Sequence, residues 1–337
     1  MYTADPRLQD ISWKLMAAHT VLVLGNPTAR LLRLLDGLPP ETSIAVGETL
    51  EAFGSLAPTA DVIFHTTTDA ALWPALLAMT PNLQWAHSLW VGIDKLLTPE
   101  FKASPIPLTN ARGAYSKSLA EFCILGILFH AKNMRRLLQQ ENEAHWEKFD
   151  STEVYGQTLG IIGYGDIGKE IGKRGHGMGL KVHAMRRHPA QSAGDPILEK
   201  SYGPDQMNEM LAVCDYVALA LPQTPGTVGV VGKKEFAAMK RSAVVLNVGR
   251  GTAINEADLV AALQDGTIAG AALDVFESEP LPKSSPLWAM DNCFISPHTA
   301  DNTHTWLEDS TRIFVENFQL YSAGQPLRNI VDKQAGY

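Results

Sequence analysis

Three glycines, Gly163, Gly165 and Gly168, close the apolar run TLGIIG (158–163) and open a stretch whose apolar residues recur at helical spacing. A strand that becomes a helix so abruptly needs a residue tolerant of left-handed backbone at the turn. It also needs a residue without a side chain where the helix settles on the strand. The helix carries the chain back over the sheet, so the next strand runs parallel to the first. This turn therefore commits its surroundings to a parallel-sheet α/β fold.

The same alternation of short apolar runs and helical patterns occurs twice. The first series has candidate strands TVLVLG (20–25), TSIAV (42–46), DVIFHT (61–66), LQWAHSL (83–89) and IPLTN (106–110), separated by helix-like stretches such as ALLAM. The second begins at TLGIIG and continues through KVHAM, DYVALAL, AVVLNVG, AGAALDV and CFISP. Between them, SLAEFCILGILFHAKNMRRLLQQENE (118–143) reads as one long helix crossing between domains. A last helix is expected in TRIFVENFQLYSAGQP, with Phe314, Phe318 and Tyr321 on one face and Gly324 and Pro326 closing it. The expectation is α/β: two Rossmann-like, doubly wound parallel-sheet domains. Residues 114–299 form one of them, and residues 1–113 with 300–337 form the other.

Composition narrows the partners. A formal net charge of −8 over 337 residues, with no basic run, disfavours nucleic acid. The longest apolar run, LAEFCILGILFHA, contains Glu121 and is too short to cross a bilayer, and MYTADPRLQD lacks the basic and apolar regions of a secretion signal. A soluble, cytoplasmic protein is expected. Cys123, Cys214 and Cys293 stand apart in apolar segments, as buried thiols do, and no metal-ligand spacing is present.

Following a strand and opening a helix, G-x-G-x-x-G suits a dinucleotide: the second glycine lets backbone approach a pyrophosphate, and the helix N-terminus favours its charge. Tyr164, Asp166 and Ile167 lie within the turn and are assigned to the same contact. About 20 residues on, an NAD site usually places a carboxylate on the ribose 2′-hydroxyl. Here the strand KVHAM ends instead in Arg186 and Arg187. Guanidiniums bind a 2′-phosphate that a carboxylate would repel, so NADP(H) is expected over NAD(H).

Three further fragments, NVGRGTAINE, LDVFESEP and FISPHTADN, each lie at or beyond the carboxyl end of a predicted strand. Ligands of open parallel sheets bind at that edge. Arg250 can polarise a keto oxygen, His298 can exchange a proton with it, and Glu279 beside the imidazole favours the protonated, oriented ring.

Together with ALPQTPGT, VGID and TNARGAYSKSLAEF, these fragments make nearly the whole chain resemble the D-isomer-specific 2-hydroxyacid dehydrogenases. The resemblance implies an active site in a cleft between two domains, a small 2-keto or 2-hydroxy acid as substrate, and a homodimer formed through the coenzyme domain. It implies that Arg250 binds substrate, His298 is the acid–base and Glu279 its partner, with Asp274 near the nicotinamide carboxamide. The Val91 and Gly92 amides would hold the substrate carboxylate, while Pro222, Thr227, Val248 and Gly249 line the coenzyme. Two positions depart from the family pattern: Arg186 replaces the common acidic residue, and Asp301 stands where a glycine is frequent. Trp90, Tyr115, Trp288 and Trp306 could serve a substrate pocket or packing, which leaves the substrate's size open. Two other readings share the architecture. A formate dehydrogenase carries glutamine in place of Glu279, and a nucleotide-sensing corepressor scaffold usually has extensions that this chain has little length to provide.

Overall fold

A computed structural model describes residues 18–337, so the stretch read for a secretion signal, residues 1–10, lies outside the described residues. The chain divides into two compact units. One contains the described residues up to Ala114 together with His304–Tyr337, and the other is Tyr115–Thr303.

The first unit is built on β1 (Thr20–Leu24), β2 (Ser43–Gly47), β3 (Val62–His65), β4 (Trp85–Ser88) and β5 (Leu108–Asn110). They form an all-parallel sheet in the order β2-β1-β3-β4-β5. Its central strands β1 and β3 carry apolar residues at successive positions (VLVL and VIF) because both faces are covered. Leu22, Leu24 and Ile63 pack on one side with Trp73, Leu76 and Phe101, the first two from helix Trp73–Met79. Val21, Val23 and Phe64 pack on the other with Phe314 and Phe318 of helix Trp306–Ser322. Phe64 and Phe314 stack with centroids 4.1 Å apart. The helix ends at Ser322, and Gly324 takes the left-handed backbone (φ 63°) that stops it.

The second unit carries β6 (Thr158–Ile162), β7 (Lys181–Met185), β8 (Leu198–Tyr202), β9 (Tyr216–Leu219), β10 (Val244–Asn247), β11 (Gly270–Leu273) and β12 (Cys293–Ile295). All run parallel in the order β12-β11-β10-β9-β6-β7-β8. The order reverses between β6 and β9, and at such a switch point the loops diverge and leave a crevice. The buried strands were legible in the sequence, whereas β8 was not.

One expectation is corrected. The helix read over 118–143 is two helices, Ser116–Ala131 and Met134–Asn142. Asn133 between them takes left-handed backbone (φ 50°), which asparagine tolerates better than most residues. The first helix is buried around most of its circumference. The second buries no residue and leaves Leu137 and Leu138 exposed. No helix among the described residues is long and apolar enough to cross a membrane. The three cysteines are buried and unpaired.

Candidate active site

The glycine turn follows β6. Gly163 has φ 97°, and a Cβ there would lie 2.6 Å from the Ala220 carbonyl oxygen. A Cβ on Gly168 would lie 2.2 Å from the Gly163 carbonyl oxygen, so the first turn of helix Asp166–Gly177 rests on the loop that starts it. Gly172 and Gly175 continue this bare face one and two turns on, against Ile161 and Leu159 of β6. Gly165 differs: nothing lies within 4 Å of its Cβ position, and it starts the helix with no side-chain cap. An uncapped helix N-terminus beside open space is where a pyrophosphate fits.

The other residues of the turn are placed unequally. The Tyr164 ring is buried and its hydroxyl donates to Asp195 Oδ2 at 3.2 Å, so only its backbone can meet a ligand. The Asp166 carboxylate accepts from the Ser116 hydroxyl, and Ile167 is half-buried. After β7, the half-buried Arg186 donates to Ser192 Oγ at 3.1 Å and to Gln191 Oε1 at 2.5 Å. These bonds come from the short turn Pro189–Ser192 and fix the guanidinium beside the end of the strand. Arg187 is exposed.

The loops after β9 and β10 touch. A Cβ on Gly249 would lie 2.6 Å from the Leu221 carbonyl oxygen. The Thr227 hydroxyl donates to the Pro222 carbonyl at 2.7 Å, closing the first loop on itself. Val248 is buried. Asn247, 1% exposed, accepts from the Gly249 amide at 3.0 Å and donates to the Arg250 carbonyl at 3.0 Å. That side chain sets the backbone from which Arg250 projects, and the Arg250 guanidinium donates to the Gly249 carbonyl at 3.0 Å.

Asp274, just after β11, is 1% exposed. Its Oδ1 accepts from Ser296 Oγ (2.6 Å) and from the Thr299 (2.9 Å) and Ala300 (3.0 Å) amides, and its carbonyl accepts from the His298 amide (2.9 Å). Its Oδ2 is buried and has no hydrogen-bond partner among the described residues. The loop after β12 is thus wrapped around one carboxylate, and His298 within it is held at φ 51°, a strained conformation for a histidine. The imidazole Nδ1 meets Glu279 Oε2 at 2.7 Å, and Glu279 Oε1 accepts from the Phe276 amide at 3.0 Å. The Glu279 bond raises the proton affinity of His298 against the opposing effect of burial. Burial pushes Glu279 upward, but the bonds from His298 and Phe276 outweigh it and hold it low, with Arg250 adding a smaller electrostatic pull. Arg250, Asp274, Glu279 and His298 thus gather at the carboxyl edge of β10, β11 and β12, with Nε2 of the imidazole left for other chemistry.

Val91 and Gly92 belong to the first unit, in the loop after β4. Asn110 Nδ2 donates to the Val91 carbonyl at 3.0 Å, while neither amide meets an acceptor among the described residues. Trp90 stacks on Trp306 at 5.1 Å in the same unit, and Trp288 is exposed. Asn247, Ser296 and Ser192 were not singled out from the sequence. Asn in NVGRG and Ser in SPH are weak signals, because these residue types also serve ordinary turns.

Comparison with known proteins identifies the family. Residues 124–300 match the family described as D-isomer specific 2-hydroxyacid dehydrogenase, NAD binding domain. The chain is 31% identical over 266 residues to glyoxylate/hydroxypyruvate reductase B of Yersinia pestis bv. Antiqua (strain Nepal516), covering 77% of this chain and 80% of that protein. A D-isomer specific 2-hydroxyacid dehydrogenase from Xanthobacter autotrophicus Py2, crystallised with NADPH and MES, superposes with a TM-score of 0.83. It is 27% identical, over 95% of this chain and 100% of that one. An NADPH-dependent glyoxylate/hydroxypyruvate reductase from Sinorhizobium meliloti, in complex with NADP and sulfate, gives 0.81 at 26% identity, over 95% and 100%. The chain belongs to the D-isomer specific 2-hydroxyacid dehydrogenase family and is a glyoxylate/hydroxypyruvate reductase-like oxidoreductase acting on the CH–OH group with a nicotinamide coenzyme.

Proposed function

We propose that the chain is an NADP(H)-dependent D-2-hydroxyacid dehydrogenase that reduces a small 2-keto acid. The observation that carries this reading is the 2.7 Å bond between His298 and Glu279, on loops tied together at Asp274. With Nδ1 engaged, Nε2 is the atom that gives its proton to the keto oxygen, or removes one in the reverse direction. Arg250 binds the substrate and meets the charge developing on that oxygen. Preorganised donors of this kind contribute several kcal/mol in comparable sites. The Val91 and Gly92 amides hold the substrate carboxylate.

The second unit, Tyr115–Thr303, is assigned to the dinucleotide and the first to the substrate. Gly163, Gly165 and Gly168 with the backbone of Tyr164, Asp166 and Ile167 would hold the pyrophosphate. Pro222, Thr227, Val248 and Gly249 would line the nicotinamide half, and the unpartnered Asp274 Oδ2 suits its carboxamide. When bound, the coenzyme supplies or accepts a hydride at C2. Arg186 and Arg187 would take the 2′-phosphate, a reading supported by the braced Arg186 guanidinium and by NADP(H) in two solved relatives.

A homodimer is part of the same reading. Large apolar side chains at Leu125, Leu137, Leu138, Trp146 and Tyr155 are exposed within one stretch of the second unit. A cytoplasmic location suits the three unpaired thiols. Oxidation of NADPH and NADH by glyoxylate, hydroxypyruvate, pyruvate and phenylpyruvate tests the whole reading. Turnover of at least one keto acid, faster with NADPH, is expected, and no turnover with either coenzyme refutes it.

A further inference from the structure

A buried phenol ties the glycine turn to the short turn after β7. The Tyr164 ring lies along the bare face of helix Asp166–Gly177, where a Cβ on Gly172 would come 3.2 Å from its Cε2 and 3.4 Å from its hydroxyl oxygen. Across 31 positions of sequence, that hydroxyl donates to Asp195 Oδ2 at 3.2 Å. The other oxygen of the carboxylate, Oδ1, accepts from the Ile197 amide at 3.0 Å. The Asp195 amide donates to the Ser192 carbonyl at 3.2 Å, and its carbonyl accepts from the Leu198 amide, where β8 begins, at 3.2 Å. Ser192 is buried, and its hydroxyl accepts from the Arg186 guanidinium. A continuous chain of bonds thus runs from Tyr164 through Asp195 and Ser192 to Arg186, all within the second unit. Burial raises the proton affinity of the phenol and the Asp195 carboxylate adds to the rise, so the hydroxyl keeps the proton that it donates.

We propose that Asp195 is a positioning residue: by joining the buried Tyr164 hydroxyl to the turn that braces Arg186, it holds the guanidinium ready for a 2′-phosphate and strengthens discrimination for NADP(H). The inference rests on the coenzyme preference proposed above and identifies what sustains it. An arginine side chain has many rotamers, and fixing one at the moment of binding costs free energy that an existing brace removes. The brace is only as firm as its footing. Pro189–Ser192 is a single short turn with Gln191 exposed, and the bond from Asp195 anchors its far end to a side chain that is 1% exposed. NADH offers the guanidinium no phosphate, so loss of the anchor should weaken NADPH more than NADH. A direct electrostatic role for Asp195 has the opposite sign. An anionic carboxylate acting on the 2′-phosphate through space would oppose NADPH, and its removal would tighten binding.

Dissociation constants for NADPH and for NADH should be measured by calorimetric titration of the full-length wild type, Asp195→Ala, Tyr164→Phe, Arg186→Ala and the double variant carrying Tyr164→Phe and Arg186→Ala. The wild type should bind NADPH more tightly than NADH. Asp195→Ala and Tyr164→Phe should each lower the ratio of the NADH constant to the NADPH constant by about threefold or more, chiefly by weakening NADPH. Tyr164→Phe keeps the ring, so it decides the matter even where Asp195→Ala fails to fold. In the Arg186→Ala background Tyr164→Phe should change the ratio by less than about twofold, because the guanidinium that the brace serves is gone. A ratio that rises, or that falls by less than threefold, in either folded variant overturns the role of Asp195. A fall of twofold or more that persists without Arg186 overturns it as well. A wild type that binds NADH more tightly overturns the underlying coenzyme preference instead.

Discussion

His298 Nδ1 lies 2.7 Å from Glu279 Oε2, and the second oxygen of that glutamate is occupied by the Phe276 amide. The imidazole is therefore oriented by a carboxylate that is itself oriented by backbone, leaving the ring little freedom to rotate. In the protonated form Nδ1 donates to the glutamate, and Nε2 carries the proton that can leave.

The pH dependence follows from this pair. Glu279 raises the proton affinity of His298, so the reducing, protonated form persists to higher pH than for a free histidine. Replacing Glu279 with Gln removes that stabilisation. The alkaline limb of keto-acid reduction should move to lower pH, and the acid limb of hydroxy-acid oxidation should move the same way, since both report one imidazole. Profiles of kcat/KM against pH in both directions check this; limbs that stay in place contradict it.

Removing the imidazole altogether tests the proton transfer directly. His298→Ala should lower kcat by about 10²-fold or more, at or above the usual range for a general acid. Coenzyme affinity, measured by fluorescence titration with NADPH, should change little, because His298 is assigned to the substrate. A variant that keeps wild-type turnover would falsify the assignment.

Coenzyme choice is assigned to the end of β7. Arg186 is braced by Ser192 and Gln191, so a 2′-phosphate would meet a guanidinium already in position. In Arg186→Asp the ratio of kcat/KM for NADPH over NADH should fall by at least tenfold, through loss of the positive charge and gain of repulsion. A wild type that prefers NADH would remove the basis for this prediction.

The glycines of the turn should separate stability from binding. Gly163→Ala places a methyl group against the Ala220 carbonyl in a backbone conformation that alanine resists, at a cost of about 1–3 kcal/mol in urea unfolding. Gly165→Ala points into open space and should leave stability within about 0.5 kcal/mol. Its NADPH dissociation constant should nevertheless rise by at least tenfold, because the methyl group takes the volume assigned to the pyrophosphate. Equal effects of the two substitutions on stability would argue against this division.

Much of the fold was legible because buried parallel strands carry unbroken apolar runs: VLVL of β1 and VVL of β10 lie between covered faces. Edge strand β8, LEKSY, was not legible. Glu199 and Lys200 are exposed and its pairing with β7 slips by a residue, so neither an apolar run nor strict alternation marks it. The break at Asn133 escaped because periodicity continues on both sides of it, and one residue's left-handed backbone leaves no mark on a pattern of apolar positions. At the site, Arg250, Glu279 and His298 could be named from residue type and position beyond a strand. The lock on Asp274 could not, since three of its four bonds involve backbone amides that every residue but proline possesses.

That lock links two chemistries through one side chain. A single aspartate shapes the loop bearing the proposed proton donor, and its other oxygen is the one assigned to the dinucleotide. Substitutions that retune this loop for a new substrate would therefore disturb coenzyme recognition as well, which favours evolutionary change from positions that lie outside its hydrogen bonds.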